Sequence, residues 1–270
     1  MSDPIIFSLI IYFILGAIAG LLSGTLGIGG GIIIVPGLAW LFQFKHFPSQ
    51  SIMQMAAATS LATVLVSMLQ ALWSHRHRHQ QAEFWSVYRI WAIPLILGVI
   101  AGTTSAHFLN SKVLGVCFGV FMLLIATKIL ISAKETTKTK LPGNLGMIII
   151  GFLIGAISGL LGISGGILAM PFLLHCNVDM RRTVIISIAL ALTVTIVGTI
   201  SVMFTGWHQS GLPSYTIGYI YWPAWIGLVI GCLIFVPVGV FLSYRLPVIT
   251  LRKALAAILL LVGIHMLISI

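Results

Sequence analysis

The stretch Gly24-Thr25-Leu26-Gly27-Ile28-Gly29-Gly30-Gly31-Ile32, closed by Pro36, occurs twice in this chain. At a constant offset of 135 it returns as Gly159-Leu160-Leu161-Gly162-Ile163-Ser164-Gly165-Gly166-Ile167, closed by Pro171. Extended back to Gly16 and Gly151, the two 21-residue windows share 11 identities, among them six glycines, Ser23 and Pro36. Chance does not repeat that register. The chain is an internal duplication, and the repeated unit centres on a helix, a glycine turn and a second helix.

The chemistry of the turn follows from its glycines. Without Cβ atoms, Gly29-Gly30-Gly31 leave their amides uncovered and tolerate positive φ, so the backbone can close into a concave nest. An apolar segment begins at Ile32, which sets the glycines at a helix N-terminus. Unpaired N–H groups and the positive end of the helix dipole favour an anion there. The competing reading is that the glycines only permit tight packing, as small residues do at membrane helix contacts.

Composition places the chain in a membrane. Hydrophobic residues make up 59% and charged residues 7%, with a mean hydropathy of +1.15. A soluble domain needs far more charge, and apolar runs long enough to cross a bilayer recur throughout. The net charge of +10 would suggest nucleic acid in a soluble protein; here it belongs to membrane orientation, and no nucleic-acid partner is expected. Cys117, Cys176 and Cys232 lie singly in apolar segments, without metal-ligand spacing. The start lacks a basic region and the run 5–22 is too long for a signal core, so the first segment is expected to stay in place.

In order, apolar periodicity and breakers predict helices over 5–23, 32–44, 53–73, 90–109 and 113–131, then 145–161, 167–175, 184–204, 219–244 and 251–268. Gly16, Gly20 and Gly24 fall on one face of the first. Residues 206–218 read as an uncharged loop. The expected organisation is a first transmembrane repeat over 1–131, a linker over 132–144 and a second repeat over 145–270. The run His75-Arg76-His77-Arg78-His79 invites a metal-binding reading, but its setting beside Trp73 and Trp85 suits a cytoplasmic interfacial anchor better.

Charge supplies the topology. If the 76–89 loop and the linker share the cytoplasmic side, 12 of the Lys and Arg residues fall inside and only Lys45 and Lys112 outside. The helix over 53–73 then runs outward to inward and its repeat mate over 184–204 runs the other way. The fold class expected is all-α: a polytopic transmembrane bundle of two inverted-topology repeats, each with a glycine-rich broken-helix hairpin. Inverted repeats are a common plan of secondary transporters, with substrate near the midplane between interrupted helices. All four acids (Asp3, Glu83, Glu135, Asp179) sit at expected ends or loops, which disfavours a cation route through buried carboxylates.

The doubled pattern GxxxGxLGIxGGxxxxP, at 20–36 and 155–171, resembles the sulfite exporter TauE/SafE family, also called toluene-sulfonate uptake permeases. Thr59-Ser60-Leu61 is similar to that family too. The resemblance spans essentially the whole chain. It implies a multi-pass permease of a bacterial inner membrane moving sulfite, sulfonates or related small sulfur anions. The second half departs from the pattern at Ser164 and at Ile186-Ser187-Ile188.

The candidate substrate contacts are Gly27, Gly29, Gly30, Gly31, Thr59 and Ser60 in the first half and Gly162, Ser164, Gly165, Gly166 and Ser187 in the second. The expected partners are a small anion and the lipid bilayer, with assembly into a homo-oligomer left open; no cofactor, metal or catalytic residue is called for. A carboxylate transporter is the alternative, since the same turns could hold a carboxylate. A membrane enzyme or assembly factor is the third reading, but His107, His175, His208 and His265 have no obvious acidic partner.

Overall fold

The computed structural model describes residues 5–26, 29–75, 84–131, 142–176, 178, 180–207, 209, 211–243, 245 and 248–268. Among them the first half contains α1 (Ile5–Leu26), α2 (Gly31–Phe44), α3 (Ile52–His75), α4 (Phe84–Phe108) and α5 (Ser111–Ile131). The second contains α6 (Asn144–Leu161), α7 (Gly166–His175), α8 (Met180–Thr205), β1 (Thr216–Ile217), β2 (Ile220–Tyr221), α9 (Trp222–Ser243) and α10 (Val248–Ile268). Seven helices among the described residues are long and apolar enough to span a bilayer: α1, α3, α4, α5, α6, α8 and α9. At 14 and 10 residues, α2 and α7 reach only about 21 and 15 Å, short of the hydrocarbon core. Exposed Ile10, Ile14 and Ile18 on α1, and Ile226, Ile230 and Ile234 on α9, form apolar outer stripes suited to lipid. The protein is an all-α, multi-pass membrane bundle.

The halves interlock. Helix α1 packs on α9 of the other half, and α6 packs on α4, through glycines that let backbones touch. A Cβ at Gly16 would lie 2.7 Å from Leu228 Cα, and one at Gly20 would lie 2.8 Å from Cys232 Cα. On the other side, a Cβ at Gly155 would lie 3.0 Å from Val99 N, and one at Gly159 would lie 2.6 Å from Val99 O. The i, i+4 glycine stripe is therefore a packing face, as the sequence spacing requires.

Side-chain pairs fix helix directions. Thr59 meets Tyr221 and Gln70 meets Leu233, so α3 runs with α9. Gln54 reaches Leu109 O at 2.8 Å, so α4 runs against α3. Tyr88 pairs with Thr193 and Thr103 with Ser201, so α8 runs with α4. Together with the glycine contacts, α1, α3 and α9 point one way and α4, α6 and α8 the other. Lys45 and Lys112 lie at one end of the bundle, whereas Arg89, Lys128, Arg182 and Arg245 lie at the other.

Several expected boundaries move. The first helix continues to Leu26, and α4 and α8 begin inside expected loops, at Phe84 and Met180. Adding helical turns satisfies backbone groups that lipid cannot. The segment expected as helix from 219 starts only at Trp222, because 216–221 folds into a hairpin with Thr216 opposite Tyr221. That hairpin closes on Gly218 at φ +57 and packs its turn against Met203 at the end of α8. The His/Arg run over 76–79 lies outside the described residues.

Candidate functional site

Helices α3 and α8 form the centre of the bundle, with 83% and 61% of their spanning residues buried, against 33–44% for the other five. Both glycine turns meet against this pair. A Cβ at Gly31 would sit 3.1 Å from Ser60 Oγ on α3, 3.2 Å from Ile163 Cα and 3.3 Å from Gly162 O. Gly29 faces the Ser164 side chain directly, and Gly162 lies against the backbone of Ala57. A Cβ at Gly166 would lie 3.3 Å from Ser187 O on α8. The structure thus brings Gly29, Gly31, Ser60, Gly162 and Ser164 into one contact zone, with Gly166 and Ser187 on its α8 side. Gly27 lies outside the described residues.

The helix breaks have a clear local cause. Gly162 ends α6 in the left-handed region at φ +71, and its amide returns to Ser158 O. Helices α2 and α7 then start at Gly31 and Gly166, so their N-termini point into the contact zone. Pro36 and Pro171 sit inside these short helices, and each leaves the carbonyl four residues earlier, Ile32 and Ile167, without its usual donor. One expectation is corrected here. Gly30, one of the three glycines read as free to take positive φ, and its repeat mate Gly165 lie at φ −69 and −61. As the residue before each helix they adopt helical geometry, and the left-handed residues are Gly29, at φ +80, and Gly162.

The hydroxyls divide into two groups. Buried Ser and Thr in apolar helices usually return their proton to a carbonyl one turn back. Thr63 does so to Thr59 O at 2.8 Å, Ser67 to Thr63 O at 3.2 Å and Thr195 to Ala191 O at 2.9 Å. Ser60, Ser158 and Ser187 do not; each is at most 1% exposed and its Oγ has no hydrogen-bond partner among the described residues. The Thr199 and Tyr12 hydroxyls also lack a partner there. Ser60 borders Gly31, and Ser158 Oγ lies 3.7 Å from the Cβ position of Gly165. Leaving such groups unpaired costs about 1–3 kcal/mol each, so they require an explanation. Ser158 was not among the expected contacts. Its signal was in the repeat, since Ser23 and Ser158 are one of the shared identities.

Thr59 already holds a partner. Its Oγ1 accepts a 3.1 Å hydrogen bond from the Tyr221 amide, fastening the hairpin to α3 one residue before Ser60. Tyr221 sits among Tyr12, Phe42 and Phe47, and Tyr219 hydrogen-bonds His107 Nδ1 at 2.8 Å. Burial pushes the Tyr219 phenol above its ordinary value; burial first and then Tyr215 do the same for Tyr221. Both therefore stay neutral in the physiological range. The hairpin and its aromatic cluster lie against α3 and α2 beside Thr59. Sequence reading missed it because a hairpin this short carries no periodicity.

No cationic side chain enters this zone among the described residues: Arg89, Lys112, Lys128, Arg182 and Arg245 are exposed and Lys45 is half-buried, all near helix ends. No group of metal-ligating side chains occurs among the described residues. The donors available are main-chain amides and hydroxyls. Such a set, gathered at two helix N-termini, favours an anion or a neutral polar group, and to a cation it offers only carbonyl and hydroxyl oxygens.

Comparison with known proteins agrees with this architecture. The profile of the family described as "Sulfite exporter TauE/SafE" matches residues 12–266. A relative from Haemophilus influenzae, described as a "Probable membrane transporter protein", is 32% identical over 96% of this chain and 97% of its own length. One from Methanocaldococcus jannaschii with the same description is 28% identical over 94% of this chain and 93% of its own. A Bacillus subtilis relative, again a "Probable membrane transporter protein", is 28% identical over 61% of this chain and 66% of its own. With a matching profile over nearly its whole length and a bundle of bilayer-spanning helices, this chain is a multi-pass membrane transporter belonging to the sulfite exporter TauE/SafE family.

Proposed function

We propose that the chain is a secondary transporter of small sulfur-containing anions, sulfite or organosulfonates, held near the midplane between the N-termini of α2 and α7. The observation that carries this reading is three unpartnered serine hydroxyls, Ser60 and Ser158 beside the two glycine turns and Ser187 on the helix next to Gly166, where α2 and α7 start. Each helix N-terminus presents about half a positive charge and unpaired amides. In a buried site with no side-chain cation among the described residues, these groups stabilise one anion by charge-assisted hydrogen bonds. The two turns touch in this closed arrangement, so the ligand enters by parting Gly29 from Ser164.

The opposed directions of α1 and α3 against α6 and α8 support two repeats of inverted topology, 1–131 and 145–270, joined by a linker over 132–144. Rocking one repeat against the other would open the turns to alternate faces. The concentration of Arg and Lys at the end opposite Lys45 supports placing that end in the cytoplasm. The sulfur in the substrate comes from the family, and the anion from the donor set.

Proteoliposome uptake of sulfite, methanesulfonate and acetate tests this. Sulfite and methanesulfonate should enter and acetate should compete poorly. A hydrogen bond to a charged ligand is worth about 1.5–3 kcal/mol. Ser60→Ala and Ser187→Ala should therefore each weaken affinity at least about tenfold, with unchanged amounts in the membrane. Preferred uptake of acetate would replace the substrate class, and full affinity in both variants would move the site away from the turns.

A further inference from the structure

A cavity of about 220 Å³ opens where α2 and α10 finish and α5 begins, at the Lys45 end of the bundle. Its floor includes Met53 and its rim carries Gln43, Ser49, Gln50 and Lys112, with His265 on the lining. The two lysines at this end are used differently. Lys45 donates to Ser8 Oγ at 2.6 Å and lies 5.7 Å from the Tyr12 ring centre. Lys112 is exposed on the rim, and none of the residues lining the cavity is acidic.

An ammonium at a concave mouth, with amide and hydroxyl side chains beside it and no acidic residue in the lining, attracts anions and raises their local concentration. Met53 stands seven residues before Ser60 on α3, about 10 Å along the axis. We propose that this cavity is a peripheral binding site for a small oxyanion group, centred on Lys112, that loads ligand for passage to the glycine turns. The loading role rests on the reading of the chain as an anion transporter; the binding site stands on the cavity and Lys112. A sulfonate in solution and the phosphate of a lipid headgroup share this chemistry, and the experiment separates them.

The probe is Gln50→Cys, on the exposed rim, reacted with a maleimide in nanodiscs and read at that residue by mass spectrometry. Methanesulfonate in nanodiscs without anionic lipid should slow labelling at least about fivefold and saturably. Adding Lys112→Gln should shift the half-protecting concentration upward about tenfold, as loss of a charge-assisted contact does. Slowing by phosphatidylglycerol nanodiscs alone, again dependent on Lys112, would support the oxyanion site with a lipid as its source and overturn the loading role. Labelling unaffected by either, or protection that survives Lys112→Gln, would overturn the site itself. In proteoliposomes, Lys112→Gln should raise KM for methanesulfonate with kcat unchanged, and the difference should fade at high salt. Ser60→Ala should leave the protection at Gln50→Cys intact, so failure of the central site and failure of the peripheral one read out separately.

Discussion

The two glycine turns share a sequence plan and differ in what each lends the other. Gly29 and Ser164 are repeat mates at the offset of 135, and in space they face each other. Gly29 lies at φ +80, where L side chains are strained, and Ser164 does not share that positive φ. The serine side chain occupies the place a Cβ at Gly29 would need. Two serines there would collide and two glycines would leave a gap, so the departure from the repeat is what lets the turns close. The same inequality recurs in the helices before them. Gly16 and Gly151 are mates, yet a Cβ at Gly16 would meet Leu228 Cα at 2.7 Å, whereas one at Gly151 would find its neighbours at 3.5–3.6 Å. Duplication supplied matched parts, and the packing has since assigned them unequal work.

The comparison can be broken most forcefully at Gly162. With φ +71 and the Ala57 backbone in its path, Gly162→Ala combines strain of about 1–3 kcal/mol with a clash that backbone cannot relieve. Thermal melting in detergent should show loss of most folded protein, while Gly143→Ala, with nothing within 4 Å, should melt like the parent. Equal behaviour of the two would mean that the second turn does not rest on α3.

Exchange at the facing pair sharpens the argument. Gly29→Ser alone should destabilise strongly, and the double variant Gly29→Ser with Ser164→Gly should recover the clash but retain about 1–2 kcal/mol of left-handed strain. A double-mutant cycle should give a coupling of about 1–3 kcal/mol. Simple additivity would separate the turns.

Next in size comes the pair of helix glycines. Gly16→Ala should cost about 1–3 kcal/mol, within the common range for point mutations. Gly151→Ala has ordinary contact distances and gains about 0.5–1 kcal/mol of helix propensity, so it should be neutral or stabilising. Melting temperatures that fell alike would restore the equality of the repeats.

Thr59→Val leaves the Tyr221 amide without its acceptor and should cost about 1–3 kcal/mol. Its second-half counterpart Ile186 carries no such bond, so hydrogen exchange at 216–221 should rise in this variant; unchanged exchange would free the hairpin from α3. The smallest effect belongs to the His/Arg run over 75–79, expected to be an interfacial anchor. Replacing His75, His77 and His79 by Gln should leave insertion and transport unchanged, and loss of transport would revive the metal reading.

Much of this molecule was legible in the chain. Lipid cannot hydrogen-bond a peptide group, so apolar runs of sufficient length declare themselves as helices whatever surrounds them. The glycine stripe on α1 and the breaks before Gly31 and Gly166 were readable for the same reason: lack of a Cβ is a local property. The hairpin at 216–221 was hidden because its stability comes from Thr59, 162 residues away from Tyr221, and from aromatic contacts to Tyr12 and Phe42. Ser158 was hidden because a serine in an apolar helix usually bonds its own backbone, and only the assembled neighbourhood reveals that it does not.

By itself the sequence determined the membrane-spanning class, the duplication and the places where helices must stop, since these depend on bilayer thickness, residue identity and backbone freedom. Only the tertiary structure decided that Gly29 and Gly162, and neither Gly30 nor Gly165, carry the left-handed backbone. It also decided that Ser164 fills the space beside Gly29, and which hydroxyls keep a free proton. Those properties are set by atoms brought together across more than a hundred residues of chain, where a few tenths of an ångström separate a contact from a clash.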